Sequence, residues 1–139
     1  MLITLCKSKI HRARVTGANL DYVGSLTIDE TLMKAANLRE YERVTVGDIT
    51  NGERFDTYVI RGEPDSGEIC VNGAAAHKVT VGDLIIIMAY AQFDEAEADT
   101  FVPSLVYVNR DNRIVKVGLE RAGQVFDREI EEVQLKSTS

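Results

Sequence analysis

Ser25 follows Gly24 in the run Tyr22-Val23-Gly24-Ser25-Leu26-Thr27, which puts a hydroxyl beside a peptide carbonyl that no side chain obstructs. The same dipeptide is a common turn, with glycine supplying an unusual backbone angle. As a plain nucleophile Ser25 would need a base. His11 is the candidate, but no acidic partner completes a triad, and a lone histidine is more often structural. Lys9 stands two residues before His11 and can share its strand face. Arg54 is either a solvated hairpin charge or, with its planar fork, a clamp for a carboxylate. Tyr58 is either a strand packing residue or a weak phenolic acid. Asn72 precedes Gly73-Ala74-Ala75, where backbone N–H groups at the start of a helical turn would favour an anion and small side chains would let it approach. His77 reads as structural.

Short strands must position these groups. Leu2–Ser8 alternates apolar and polar, and Ala13–Leu20 is a looser strand around Gly17. Val44–Thr50 and Phe55–Arg61 flank Asn51-Gly52, a strong hairpin signal. Glu68–Val71 is brief. Leu84–Met88 is continuously apolar, as expected of a strand covered on both faces. Leu105–Asn109 and Arg113–Val117 flank Arg110-Asp111-Asn112, a second hairpin. Asp29 is a plausible N-cap for a helix over Glu30–Asn37 with Leu32, Met33, Ala35 and Ala36 inward. Asp94–Asp99 predicts a turn or two of helix, with Pro103 opening the next segment. Many short strands with punctuating turns imply a small closed or nearly closed β-barrel. Val44-Thr45-Val46-Gly47-Asp48 and Val79-Thr80-Val81-Gly82-Asp83 echo each other; a duplicated half-barrel or a merely favourable strand-and-turn string would explain them, and the second fits the first copy better. From Gly118 the pattern fades into a charged tail or short surface helix.

The bulk numbers narrow the class. A chain of 139 residues with 45% hydrophobic and 27% charged residues is one ordinary globular domain. A net charge of −6 with no Lys/Arg block sets nucleic acid aside. The N-terminus lacks a signal-peptide pattern, and the longest apolar run, Leu84 to Ala91, is too short to span a bilayer. No membrane partner is therefore expected, and cytoplasm is the default. Cys6 and Cys70 lack metal-type spacing; both lie in apolar segments and read as buried packing residues, with a catalytic thiol a poor second.

Four segments together carry more than any one. Lys9-Ile10-His11-Arg12, Gly24-Ser25, Thr50-Asn51-Gly52-Glu53-Arg54-Phe55-Asp56-Thr57-Tyr58 and Val71-Asn72-Gly73-Ala74-Ala75-Ala76-His77 occur in this order and spacing. In that arrangement the chain resembles the aspartate 1-decarboxylases over roughly residues 1–117. The resemblance implies a six-stranded double-psi β-barrel over 1–117, with 118–139 as the tail. It also implies self-cleavage at Gly24-Ser25 into a β chain, 1–24, and an α chain from 25. The cofactor would be a pyruvoyl group derived from Ser25 and covalently attached, with no metal and no pyridoxal phosphate. A pyridoxal enzyme would in any case need a larger fold and a phosphate cradle that this chain does not display.

By the same resemblance, Ser25 becomes the group that forms a Schiff base with L-aspartate, and Tyr58 is the proton donor. Gly24, Ser25, Thr57 and Asn72 serve self-processing, with Thr57 hydrogen-bonding the Gly24 carbonyl. Lys9, Arg54, Thr57, Gly73, Ala74 and Ala75 bind substrate, and His11 and Tyr22 support. Glycine at 24 would leave the carbonyl open and accept backbone angles that other residues avoid. The implied product is β-alanine for pantothenate and coenzyme A synthesis. The implied assembly is a homotetramer with active sites between subunits, and some bacterial relatives use a maturation partner. The rival reading is a non-enzymatic binding or assembly barrel whose Gly-Ser stays an uncleaved turn.

Overall fold

The computed structural model describes residues 1–119. Nine strands occur among them, three more than the six expected. They are β1 (Leu2–Arg14), β2 (Gly17–Asn19), β3 (Ser25–Asp29), β4 (Arg43–Asp48), β5 (Arg54–Gly62), β6 (Ile69–Asn72), β7 (Leu84–Asp94), β8 (Ser104–Val108) and β9 (Ile114–Leu119). Helix is limited to α1 (Glu30–Ala35), α2 (Glu95–Thr100) and a 3-10 segment, Gly73–Lys78.

The strand order is β2-β6-β3-β5-β4-β7-β1-β8-β9, and it closes on itself. β2 continues β1 after two linking residues, whose Val15 and Thr16 N–H groups donate to Asp83 O (2.9 Å) and Ile69 O (2.8 Å). Counting β1 and β2 as one bent stave, the ring β1/β2-β6-β3-β5-β4-β7 has six staves; β8 and β9 form a hairpin added on the outer side of β1. β3 runs parallel to β5 and antiparallel to β6, while β1 runs antiparallel to β7 and parallel to β8. This mixed pairing is the double-psi β-barrel that the resemblance implies.

Alternation fills the ring. Ile10, Leu26, Ile28, Val44, Val46, Val59, Ile69, Val71, Ile85 and Ile87 all point inward and are buried. Each such side chain contributes about 1.5–3 kcal/mol relative to exposure. β1 is bent by register shifts at Cys6/Ser8 and Ile10/Ala13, with Arg12 in the left-handed region at φ 60°. Asp29 caps α1 as expected: its carboxylate accepts from the N–H groups of Thr31, Asp65 and Gly67 at 2.8–2.9 Å. α2 opens on a reciprocal capping box between Asp94 and Glu97.

Three expectations need correction. The strand read over Ala13–Leu20 is split between the end of β1 and β2, because the chain must leave β7 there and join β6. β7 is longer than Leu84–Met88, and its buried and part-exposed residues alternate, so one face of it is covered rather than two. A barrel wall has one apolar interior, and Ile86 and Met88 lie outside it. The Asn51-Gly52 hairpin exists, but its loop spans 49–53, anchored by Asp48, whose Oδ1 accepts from Thr50 and Asn51 N–H. Gly52 there adopts φ +81°. β9 runs to Leu119; the tail read beyond it lies outside the described residues.

The two echoed segments differ in form. Val44–Asp48 lies within β4, whereas Val79–Asp83 is a turn with Gly82 at φ +98°. Their aspartates meet: the Asp48 carboxyl is pushed up to about 6, first by burial and then by its hydrogen bond with Asp83.

Candidate active site

β3 and β6 build the centre of the site. Their antiparallel register sets Ser25 opposite Asn72 and Thr27 opposite Cys70. Leu26 and Val71, between them, face the core, so these four polar side chains share the other face of the sheet. Ser25 is 2% exposed and Asn72 3%. Asn72 Nδ2 donates to Ser25 Oγ and to Thr27 Oγ1, both at 3.0 Å. Ser25 Oγ donates to Val23 O at 3.3 Å, one residue short of the Gly24 carbonyl. Rotation about the Ser25 Cα–Cβ bond redirects it.

The glycine pairing differs from expectation. Gly24 is not in the left-handed region, and a β-carbon there would meet Asn72 O at 4.0 Å, an ordinary contact. Its backbone freedom is therefore not in use in the uncleaved chain. Gly73 is the constrained one, at φ +76°, with no room for a β-carbon against the Gly24 backbone. The 3-10 segment Gly73–Lys78 realises the expected helical turn, with Ala74 exposed and Ala75 half-buried against the core.

Tyr58 is the neighbour on the other side. β3 and β5 run parallel with Leu26 beside Val59, which brings Tyr58 next to Ser25 along the wall. The ring of Tyr41, itself at φ 70°, lies 6.4 Å from that of Tyr58. Tyr41 carried no signal in the sequence. Thr57 is half-buried in β5 opposite Val44, and its hydroxyl makes no hydrogen bond among the described residues, so the expected contact with the Gly24 carbonyl is absent here. Tyr22 is exposed, with its carbonyl near Gly73.

Lys9, His11 and Arg54 are elsewhere. Lys9 sits on β1, opposite Met88 of β7 and Leu105 of β8, whereas Ser25 lies on β3 between β5 and β6. His11 packs edge-on against Tyr107, ring centroids 5.9 Å apart. Arg54 is exposed at the start of β5, four residues before Tyr58 and thus about 13 Å along the strand. Near it the Asp56 carboxyl is held below its ordinary range, first by the Thr45 hydroxyl and then by Arg43, with the Arg54 charge adding to the effect. One chain thus gathers Gly24, Ser25, Asn72, Gly73 and Tyr58, and leaves Lys9 and Arg54 outside that cluster.

No three His, Cys, Asp or Glu side chains gather as a metal would need, among the described residues. No helix among them is long and apolar enough to cross a membrane.

A family model described as aspartate decarboxylase matches residues 1–115, a span that includes every one of these side chains. The chain belongs to the aspartate decarboxylase family. It is 61% identical over 120 residues to the aspartate 1-decarboxylase of Acetivibrio thermocellus, covering 86% of this chain and 95% of that one. It is 58% identical over 118 residues to that of Corynebacterium efficiens, covering 85% and 87%. With the Clostridium botulinum aspartate 1-decarboxylase the match is 55% over 127 residues, covering 91% and 100%.

Proposed function

We propose that this chain decarboxylates L-aspartate to β-alanine and carbon dioxide, supplying pantothenate and coenzyme A synthesis, after cutting itself between Gly24 and Ser25. One observation carries the self-cleavage: the buried Ser25 hydroxyl, held by Asn72, adjoins a Gly24 backbone packed against Gly73. Those residues also fit a pyruvoyl group, since Ser25 is buried beside the Asn72 carboxamide, which would be left facing the new chain end.

The processing chemistry needs only the chain's own atoms and one water. Ser25 Oγ adds to the Gly24 carbonyl, the C–N bond breaks, and the Oγ proton passes to the amine. Loss of the Ser25 Cα proton with breakage of Cβ–Oγ then frees Gly24 as a carboxylate. Water replaces the nitrogen, which leaves as ammonia. Asn72, donating to Oγ, fixes the hydroxyl beside its target. Thr57 is one residue from Tyr58 on β5, and its hydroxyl would have to turn toward the Gly24 carbonyl to assist there.

Once formed, the pyruvoyl carbonyl supplies the electron sink that side chains lack. Tyr58, beside residue 25, holds the proton that replaces carbon dioxide at Cα. Arg54 and Lys9 offer the positive charges for aspartate's carboxylates, and Ala74 and Ala75 leave its approach open. Because Arg54 lies about 13 Å along β5 from Tyr58, and Lys9 lies on β1, which does not pair with β3, a neighbouring subunit would supply them, in keeping with a homotetramer whose sites lie at interfaces. His11 and Tyr22 are assigned supporting places at that interface. A cytoplasmic setting goes with this biosynthetic role.

The test is intact mass spectrometry of the purified protein with a β-alanine assay. Two fragments split at 24/25, a modified residue 25 and β-alanine formation are expected. A single unmodified chain that still consumes aspartate would overturn the mechanism.

A further inference from the structure

The Asn72 carboxamide makes hydrogen bonds to three side chains of one face. Both Nδ2 hydrogens are used, on Ser25 Oγ and Thr27 Oγ1. Its Oδ1 accepts from the Cys70 thiol, with Sγ 3.3 Å away. A carboxamide can be turned end for end at little steric cost, and turning it here would aim an acceptor, not a donor, at Ser25. The thiol opposes that turn, because Sγ–H is a donor facing Oδ1. Thr27 Oγ1 accepts the second Nδ2 hydrogen and so fixes the plane of the carboxamide, while the thiol selects which end of it faces Ser25.

The surroundings keep the thiol in place. Cys70 pairs with Gly17 of β2, and a β-carbon on Gly17 would come within 3.1 Å of Sγ. The Cys70 thiol is also pushed up from its ordinary range, first by burial and then by the charge of Glu68, which keeps the proton on sulfur. Gly17 thus leaves the space, and burial leaves the donor.

We infer that Cys70 and Thr27 are positioning residues for self-cleavage, holding the Asn72 carboxamide in the one orientation that donates to Ser25 Oγ. This inference rests on the self-processing reading above. It also separates the two stages of the protein's life: Ser25 Oγ is lost in processing, so Cys70 and Thr27 should govern the rate of cutting and not substrate binding by the mature form.

The experiment follows fresh precursor by intact mass over time, for wild type, Cys70→Ala, Cys70→Ser, Thr27→Val, Asn72→Ala and Cys70→Ala/Asn72→Ala, with thermal midpoints for each. Cys70→Ala and Thr27→Val are expected to slow cleavage about tenfold, the worth of one hydrogen bond. Cys70→Ser, which keeps a donor, should cleave within a few-fold of wild type. In the double variant, Cys70→Ala should add nothing to Asn72→Ala, because it acts through that residue. KM for aspartate in fully cut protein should not move. Cleavage of both Cys70→Ala and Thr27→Val at the wild-type rate would overturn the inference while leaving self-processing intact. A wild type that never cuts itself would overturn the parent reading and this one together.

Discussion

A β-carbon built on Gly73 would lie 2.6 Å from the Cα of Gly24 and 2.9 Å from its nitrogen. Two glycines from separate motifs are therefore in backbone contact, and they are not equivalent. Gly73→Ala meets both a left-handed φ and that clash, and is expected to lower the thermal midpoint by about 3–8 °C and to leave most of the chain uncut. Gly24→Ala meets neither. It should melt within about 2 °C of wild type, and any loss of cleavage in it reports hindrance at the carbonyl. Calorimetry and intact mass on the two variants separate fold from chemistry.

Separation of Lys9 and Arg54 from Ser25 predicts complementation between defective chains. Ser25→Ala lacks the cofactor and Arg54→Ala lacks a carboxylate anchor, so each alone should be nearly inactive. Mixed by co-expression in equal amounts, they should recover about a quarter of wild-type activity, since some neighbouring pairs then hold one intact copy of each part. A mixture as inactive as its parents would place both residues in one chain's site.

Tyr58→Phe keeps the ring against Tyr41 and removes the proton. Cleavage at 24/25 should proceed as in wild type, while β-alanine formation falls about 10²-fold or more. A single-turnover assay that detects carbon dioxide release without β-alanine would locate the defect at protonation of Cα.

Asp48 gives a pH dependence whose sign is fixed by its environment. Its carboxyl is raised from 3.8 to about 6 in the fold, by burial and then by Asp83. Its contribution to stability is thus fully present below about pH 4 and is lost as the pH rises through about 6. Asp56 works in the opposite sense and lower, since its carboxyl is held below 3.8 and its contribution fades only on acidification. Wild type should therefore lose thermal midpoint between about pH 4 and 6, and Asp48→Asn should flatten that window. An unchanged slope in Asp48→Asn would show that the proton is held elsewhere.

Much of the fold was legible because its signals are local. Asp29 caps its helix through its own carboxylate, and the Arg110-Asp111-Asn112 turn joins β8 to β9, with Asn112 at φ 59°. What escaped depends on partners distant in sequence. The break of Ala13–Leu20 is set by which stave each half joins, and the single covered face of β7 by the curvature of a closed wall. At the site, motif order pointed to Ser25, Asn72 and Tyr58, and pairing brings them together. Cys70 reads in the sequence as a buried packing residue, though it is part-exposed, and Thr27 has no role there, because alternation shows their shared face only once the β3–β6 register is known. The distance of Lys9 from Ser25 is likewise a property of strand order, which no run of residues displays.

Closure of the ring through β1 and β2 has a consequence for the severed protein. Residues 1–24 supply one whole stave, clasped by β7 and β8 along one part and by β6 along the other. If the chain is cut at 24/25 as proposed, this piece would have no covalent tie to the rest, yet its pairing with β6, β7 and β8 would hold it in the wall. Once melted apart, the two chains of a cleaved protomer would have to find each other by diffusion, so refolding would turn from a first-order process into a second-order one.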